Sequence, residues 1–179
     1  MGYFMTTMDR ARVSIRRPRR GDETEFLALM RQSSQLHHPW VFPPTSRAAF
    51  LEYLATRRLD SEDGFLVIER QSQRICGVIN LNVITRGALQ SAYVAYYVGQ
   101  PYVGQGYMKE GLLQAMAVAF GELGLHRLEA NIQPGNTPSI RLVRACGFRH
   151  EGFSPKYLYI DGAWRDHERF AILKEEVFF

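Results

Sequence analysis

The sequence predicts one α+β domain, on three observations. Its 179 residues, 46% apolar and 22% charged, suit a single compact globular fold. Strand-like segments and segments of helical spacing are interspersed along the whole chain, with no repeat, low-complexity stretch or linker to divide it. Near the end, two strand-like segments flank Asp161–Gly162, a good hairpin turn, so strands also meet without an intervening helix.

Taken in order, residues 1–11 read as a flexible tail and 12–176 as the domain. RVSIRRP (12–18) alternates as a first strand. The next segment opens a helix at Asp22, a candidate N-cap, with Glu23 and Glu25 in the first turn where the helix dipole favours acids. LHHPWVFPP (36–44) has three prolines and cannot stay regular for long. A second helix is expected over 45–59, with Phe50, Leu51, Leu54 and Leu59 as its apolar stripe. Residues 64–70 and 74–84 read as neighbouring strands. SAYVAYYV (91–98) is apolar on both faces, which predicts a central strand. Residues 107–123 carry the main helix, closed by Gly124. A strand over 126–133, a short helix from Thr137 to Ala145 and the final hairpin complete the chain.

Composition narrows the function classes. No apolar run approaches the ~20 residues that span a bilayer, and the N-terminus lacks a signal-like apolar region. The two cysteines, Cys76 and Cys146, and the histidines show no zinc spacing, so no metal is expected and a cytoplasmic protein with two buried thiols is the plain reading. The net charge is +4 and 19 of the 22 basic residues are arginine, crowded at the start. Such a patch can attract phosphate-rich partners, or can simply be solvated.

The most informative stretch is YVAYYVGQPYVGQGYMKEG, a strand, a glycine-rich loop and a helix start. Small residues and the free N–H groups of a first helical turn suit an anion. A tight connection that needs glycine for its backbone angles would look the same. The loop fits neither a Walker A nor a dinucleotide glycine pattern.

Three segments in order resemble the GNAT acetyltransferases: the loop Val103-Gly104-Gln105-Gly106-Tyr107-Met108, the run NTPSIRLVRACGFRHEG (136–152), and KYLYIDGAWRDHERFAIL (156–173). The last is similar to the branch containing ribosomal-protein N-terminal acetyltransferases, the Rim-type enzymes, as is LHHPW. The resemblance spans about residues 12 to 173. It implies a mixed, mostly antiparallel central sheet flanked by helices, with the cofactor in a cleft between two splayed central strands. It implies acetyl-CoA as co-substrate, its pyrophosphate on the amides of the Val103–Met108 loop. Val103 and Met108 depart from the family pattern, a tolerable loss where backbone amides capture the phosphates. The strand end, Tyr96, Tyr97 and Val98, would supply backbone groups, and Asn136 would hold the pantetheine arm.

The resemblance also implies direct attack of an amine on the thioester, which needs a neutral amine, a polarised carbonyl and a protonated leaving thiolate. Relatives that use a tyrosine for the last task place it where this chain has Val143. Ser139 is the remaining hydroxyl, either the acid or a helix-start cap. Glu129 is the candidate base, or an edge carboxylate paired with Arg127. Glu151 is a second candidate, or fixes the hairpin. Trp40 and His38 would wall the acceptor. An α-amine of pKa ~8 is roughly a fifth neutral at pH 7.4, a lysine-like amine of ~10.4 only about a thousandth, so a poorly marked base suits an α-amine. The resulting expectation is acetylation of a protein N-terminus such as a ribosomal protein's, by an enzyme that could be a homodimer. A small amine (aminoacyl-nucleotide, antibiotic or polyamine) and a non-catalytic acyl-CoA-binding module are the alternatives.

Overall fold

A computed structural model describes residues 11–177. All but Ala11 of the expected tail therefore lies outside the described residues. Strands β1 (Val13–Arg16), β2 (Asp63–Glu69), β3 (Ile75–Thr85), β4 (Ser91–Val98), β5 (Arg127–Ile132), β6 (Arg149–Ile160) and β7 (Ala163–Leu173) form one sheet, ordered β1-β2-β3-β4-β5-β7-β6. Every neighbouring pair is antiparallel except β4–β5. The helices are α1 (Glu23–Gln32), α2 (Ser34–His37), α3 (Arg47–Thr56), α4 (Tyr107–Ala117) and α5 (Thr137–Ala145).

Strands β2, β3 and β4 are covered on both faces, which is why they read as nearly continuous apolar runs. On one face Phe65, Val67, Ile79 and Leu81 pack with Leu112, Met116 and Phe120 of the α4 segment. On the other, Leu66, Ile68, Val78 and Tyr97 pack with Phe26 and Met30 of α1 and Phe50 and Leu54 of α3. The expected central strand, 91–98, is β4, fourth of seven.

Some local expectations change. Asp22 ends a short 3-10 turn and does not cap α1: its carboxylate takes the Arg16 guanidinium at 2.6 and 2.7 Å and the Arg19 N–H at 2.8 Å. An ion pair outcompetes the cap because it engages both oxygens with charge-assisted bonds. The second helix covers only 47–56, capped by Ser46, which accepts from the Ala49 N–H. Phe50 and Leu54 are buried, Leu51 is half-buried and Leu59 lies exposed beyond the helix end. The main helix ends at Ala117 and continues as a π turn over Val118–Glu122, where an extra residue in the turn keeps Ala119 and Phe120 buried. Gly124 follows with φ +63°, as expected of a helix-closing glycine.

Candidate active site

The feature that positions the site is a gap in the sheet. Strands β4 and β5 pair only from Ser91–Tyr93 to Arg127–Glu129; beyond Tyr93 they diverge. In an antiparallel pair successive residues bond alternately to opposite sides. Gly99 donates its N–H to the Cys76 carbonyl at 2.7 Å, and the β3–β4 register runs Gly77↔Val98, Ile79↔Tyr96. The Val98 and Tyr96 peptide groups thus turn away from β3 and into the notch. The ladder puts the Tyr97 peptide toward β3, and its ring is buried against α1, so Tyr97 lies outside the notch.

At the top of the notch the chain passes through Gly99 and a 3-10 turn, Gln100–Tyr102, into the glycine loop. Gly104 and Gly106 have φ of +75° and +81°, a region that disfavours side chains, and Gly106 is the residue from which α4 starts. The first N–H groups of α4 have no acceptor within the helix. Tyr107 and Met108 have buried side chains, so they can offer a ligand only backbone, whereas Val103 and Gln105 lie at the surface. Arg12, just before β1, braces this loop. It donates to the Gln105 carbonyl at 2.8 Å, pairs with Glu110, and lies over the Tyr107 ring at 4.8 Å. Other members of the arginine-rich start are also tied to carboxylates: Arg16 to Asp22, and Arg17 to Asp63 and Glu122.

The start of α5 forms the far wall. Asn136 is its N-cap, accepting the Ser139 N–H at 3.3 Å. Capping therefore falls to Asn136, and the Ser139 hydroxyl is available for other work. That hydroxyl lies 2.7 Å from the Tyr96 hydroxyl, which also reaches the Ser139 carbonyl at 3.0 Å. Burial holds the Tyr96 phenol well above its ordinary pKa. Val143 is fully buried, and burial pushes the Cys146 thiol up to about 12. Ser139 and Tyr96 form one polar pair contributed by two walls.

On the acceptor side, His38 pairs with Asp161 of the β6–β7 turn at 3.6 Å, and the Trp40 ring lies against Gly135 before α5. The connector thus touches both the hairpin and the β5–α5 loop. Glu129, the last β5 residue paired with β4, accepts from Arg127 at 2.9 Å and from Arg169 at 2.8 Å. Each of its oxygens thus holds one arginine N–H, which makes Glu129 part of an ion-pair network across β5 and β7. Glu151 takes Arg127 and Arg149, which holds it below the usual carboxylate range and fixes the hairpin. Arg169 also lies over Tyr157, whose hydroxyl meets that of Tyr93 at 3.3 Å.

The pattern that defines the acetyltransferase (GNAT) domain matches residues 12–149, most of the chain. The protein belongs to that family. It is an N-acetyltransferase, and its α+β sheet, mostly antiparallel with the one parallel pair β4–β5, is the fold that the resemblance implied. A probable N-acetyltransferase of Bacillus subtilis, YjcK, is 36% identical over 130 residues, 73% of this chain and 72% of that protein. The ribosomal protein uS5-alanine N-acetyltransferase of Escherichia coli is 37% identical over 103 residues, 58% of this chain; the match spans 53%, about half, of that enzyme. Among solved structures, Mycobacterium smegmatis RimJ with CoA-disulfide superposes with a TM-score of 0.84 at 29% identity, covering 92% of this chain and 83% of that one. A spermidine N(1)-acetyltransferase of Vibrio cholerae is similar at 24% over 170 residues, 93% of this chain and 95% of that one. The CoA-bound relative points to acetyl-CoA as co-substrate.

Of the residues that the sequence singled out, Tyr96, Ser139 and Asn136 are brought together: Tyr96 meets Ser139, and Asn136 caps the helix that carries Ser139. Sequence reading missed Arg12 and Arg169 as parts of the site, and His37, which donates to the Val98 carbonyl at 2.8 Å. Only the proline-rich neighbourhood of His37 hinted at a special connector. Among the described residues, no helix is long and apolar enough to cross a membrane, and no group of three or more His, Cys, Asp or Glu could hold a metal.

Proposed function

We propose that this enzyme transfers acetyl from acetyl-CoA directly to the α-amine of a protein N-terminus, a ribosomal protein's being the model acceptor. The pyrophosphate binds the amides of Val103–Met108, and the pantetheine arm runs beside the Tyr96 and Val98 peptides toward Asn136. The neutral amine attacks the thioester carbon, and the developing oxyanion takes the Val98 N–H. The intermediate collapses by breaking the C–S bond. The excess proton on nitrogen leaves to water. As the Tyr96 hydroxyl shifts its one hydrogen from the Ser139 carbonyl to Ser139 Oγ, Ser139 turns its own hydrogen to the departing sulfur. Because Tyr96 is buried, the pair stabilises the thiolate through hydrogen bonds rather than by emptying the tyrosine.

The acceptor assignment rests on one observation, the state of Glu129. The carboxylate nearest the splay is already held by two arginines. With Glu129 taken up by Arg127 and Arg169, that carboxylate has little to offer a polycation, whereas an α-amine that is partly neutral at pH 7.4 needs little help. The same arginines, with Tyr93, Tyr157 and Trp40 nearby, favour an anionic aminoacyl-nucleotide as the second reading.

The test is acetyl-CoA consumption across N-terminal peptides, spermidine and an aminoacyl-nucleotide analogue, in the wild type and Glu129→Gln. With a peptide, kcat/KM should climb with pH and level off near ~8, following the acceptor. Glu129→Gln should keep that shape and cost ~10-fold or less. Spermidine turned over faster than every peptide would defeat the α-amine assignment. So would a Glu129→Gln loss of ~10²-fold with an altered profile.

A further inference from the structure

Three side chains spaced four residues apart, Leu29, Ser33 and His37, lie along one line through α1 and α2, and all three meet the three residues that leave β4. Ser33 is fully buried; its Oγ donates to the Leu29 carbonyl at 2.7 Å and accepts the Gln100 N–H at 2.8 Å. His37 is 4% exposed, and its Nε2–H donates to the Val98 carbonyl at 2.8 Å. Between these bonds, a Cβ on Gly99 would stand 2.5 Å from Leu29 Cδ1, so the backbone of residue 99 is pressed directly on the leucine. The ring of His37 also meets the edge of Tyr97 at 5.4 Å.

The tautomer follows from the bonding. Val98 offers only an acceptor, so Nε2 carries the hydrogen, and the buried Nδ1 has no partner. A neutral ring is thus held in one orientation. The main-chain carbonyl of His37 accepts the N–H groups of Trp40 and Val41, at 2.8 and 3.0 Å. One residue therefore sets the turn of the acceptor-side connector through its backbone and the end of the cofactor-side strand through its ring.

We infer that His37, with Ser33, is a positioning residue: it fixes the Val98–Gln100 segment against α1–α2, so that the thioester cleft and the acceptor connector hold one mutual geometry. The Val98 carbonyl would otherwise be an unpaired acceptor turned into the notch. With His37 bound to it, the top of β4 presents the Val98 N–H beside a satisfied carbonyl. The inference rests on the proposed placement of acetyl-CoA along Val98–Met108. Misplacement of reacting groups by about 1 Å can cost ~10²-fold in rate, so loss of one anchor of two should cost less.

The experiment compares wild type, His37→Phe, His37→Gln, Ser33→Ala and Leu125→Ala, a change in the core on the other face of the sheet that lowers stability. Acetyl-CoA binding is measured by calorimetry, and CoA release is followed with an Ala-initiated hexapeptide. His37→Phe should raise the acetyl-CoA Kd ~5-fold and lower kcat ~10-fold, and Ser33→Ala should act in the same direction more weakly. His37→Gln, which can still offer an N–H to Val98, should recover to within ~3-fold of wild type in both. Wild-type binding and turnover in His37→Phe, or equal losses in Leu125→Ala, would overturn the positioning role. A wild-type protein that fails to bind acetyl-CoA would instead overturn the cofactor placement itself, and the inference with it.

Discussion

The two walls of the notch are built from different materials. The wall proposed for the cofactor is backbone: the Val98 and Tyr96 peptides, two glycines with positive φ, and the first turn of α4. The wall proposed for the acceptor is side chain: Trp40 against Gly135, His38 on Asp161, and Glu129 between Arg127 and Arg169. Backbone groups are the same in every sequence, so the first wall tolerates Val103 and Met108 where the family pattern has other residues. The second wall owes its shape and charge to residues from four separate segments, and a single change there can alter which amine fits. A family can therefore keep one donor and vary its acceptors.

The largest effect should follow from breaking the backbone wall. Gly106→Asp places a side chain at φ +81° and an anion against the pyrophosphate, so the rise in Tm that acetyl-CoA gives the wild type should vanish. A thermal scan with and without acetyl-CoA reads this. An undiminished shift would move the phosphates off the loop.

The next effect tests a place where β4 and α5 meet through side chains. Ser139→Ala should lower kcat by ~10²-fold with little change in KM for acetyl-CoA, and Tyr96→Phe by ~10-fold, since it removes the two bonds that orient Ser139 and leaves its hydroxyl in place. Steady-state kinetics separates this from a role in capping, because Asn136 supplies the cap. A fully active Ser139→Ala protein would reduce the pair to packing.

The smallest effect concerns pH and stability at the junction of the walls. Burial depresses the His37 pKa, so the unfolded chain, titrating near ~6.5, binds a proton that the folded chain refuses. Stability is complete above ~6.5 and falls as the pH drops below it toward the lower folded pKa. Buried His167, depressed for the same reason, contributes alike. Tm measured from pH 7.5 to 5.5 should fall more steeply for wild type than for His37→Gln. Parallel curves would show that His37 stays protonatable in the fold.

Much of the fold was legible because its signals are local. Alternation marked β1, an unbroken apolar run marked β4 as central, and Asp161–Gly162 marked the last hairpin. The glycines around Gln105 announced a loop with unusual backbone angles, and both have them. Expectations shifted where contacts outside the helix decided the outcome: the Asp22 side chain pairs with Arg16 instead of capping α1, and Leu59 lies exposed beyond the end of α3. His37 looked like any other histidine, since nothing in its neighbours reveals that it will meet Val98, 61 residues away.

By itself the sequence determined the order of elements, the family and the place of the glycine loop, because periodicity, glycine conformation and motif spacing are short-range properties of the chain. Only the tertiary structure decided that Glu129 is held by two arginines, that Tyr96 meets Ser139, and that Leu29, Ser33 and His37 seat the strand end. Those contacts join residues brought together by strand order and helix docking. Their chemistry depends on burial and on which donor faces which acceptor, and a linear pattern of residue types leaves both open until the sheet is assembled.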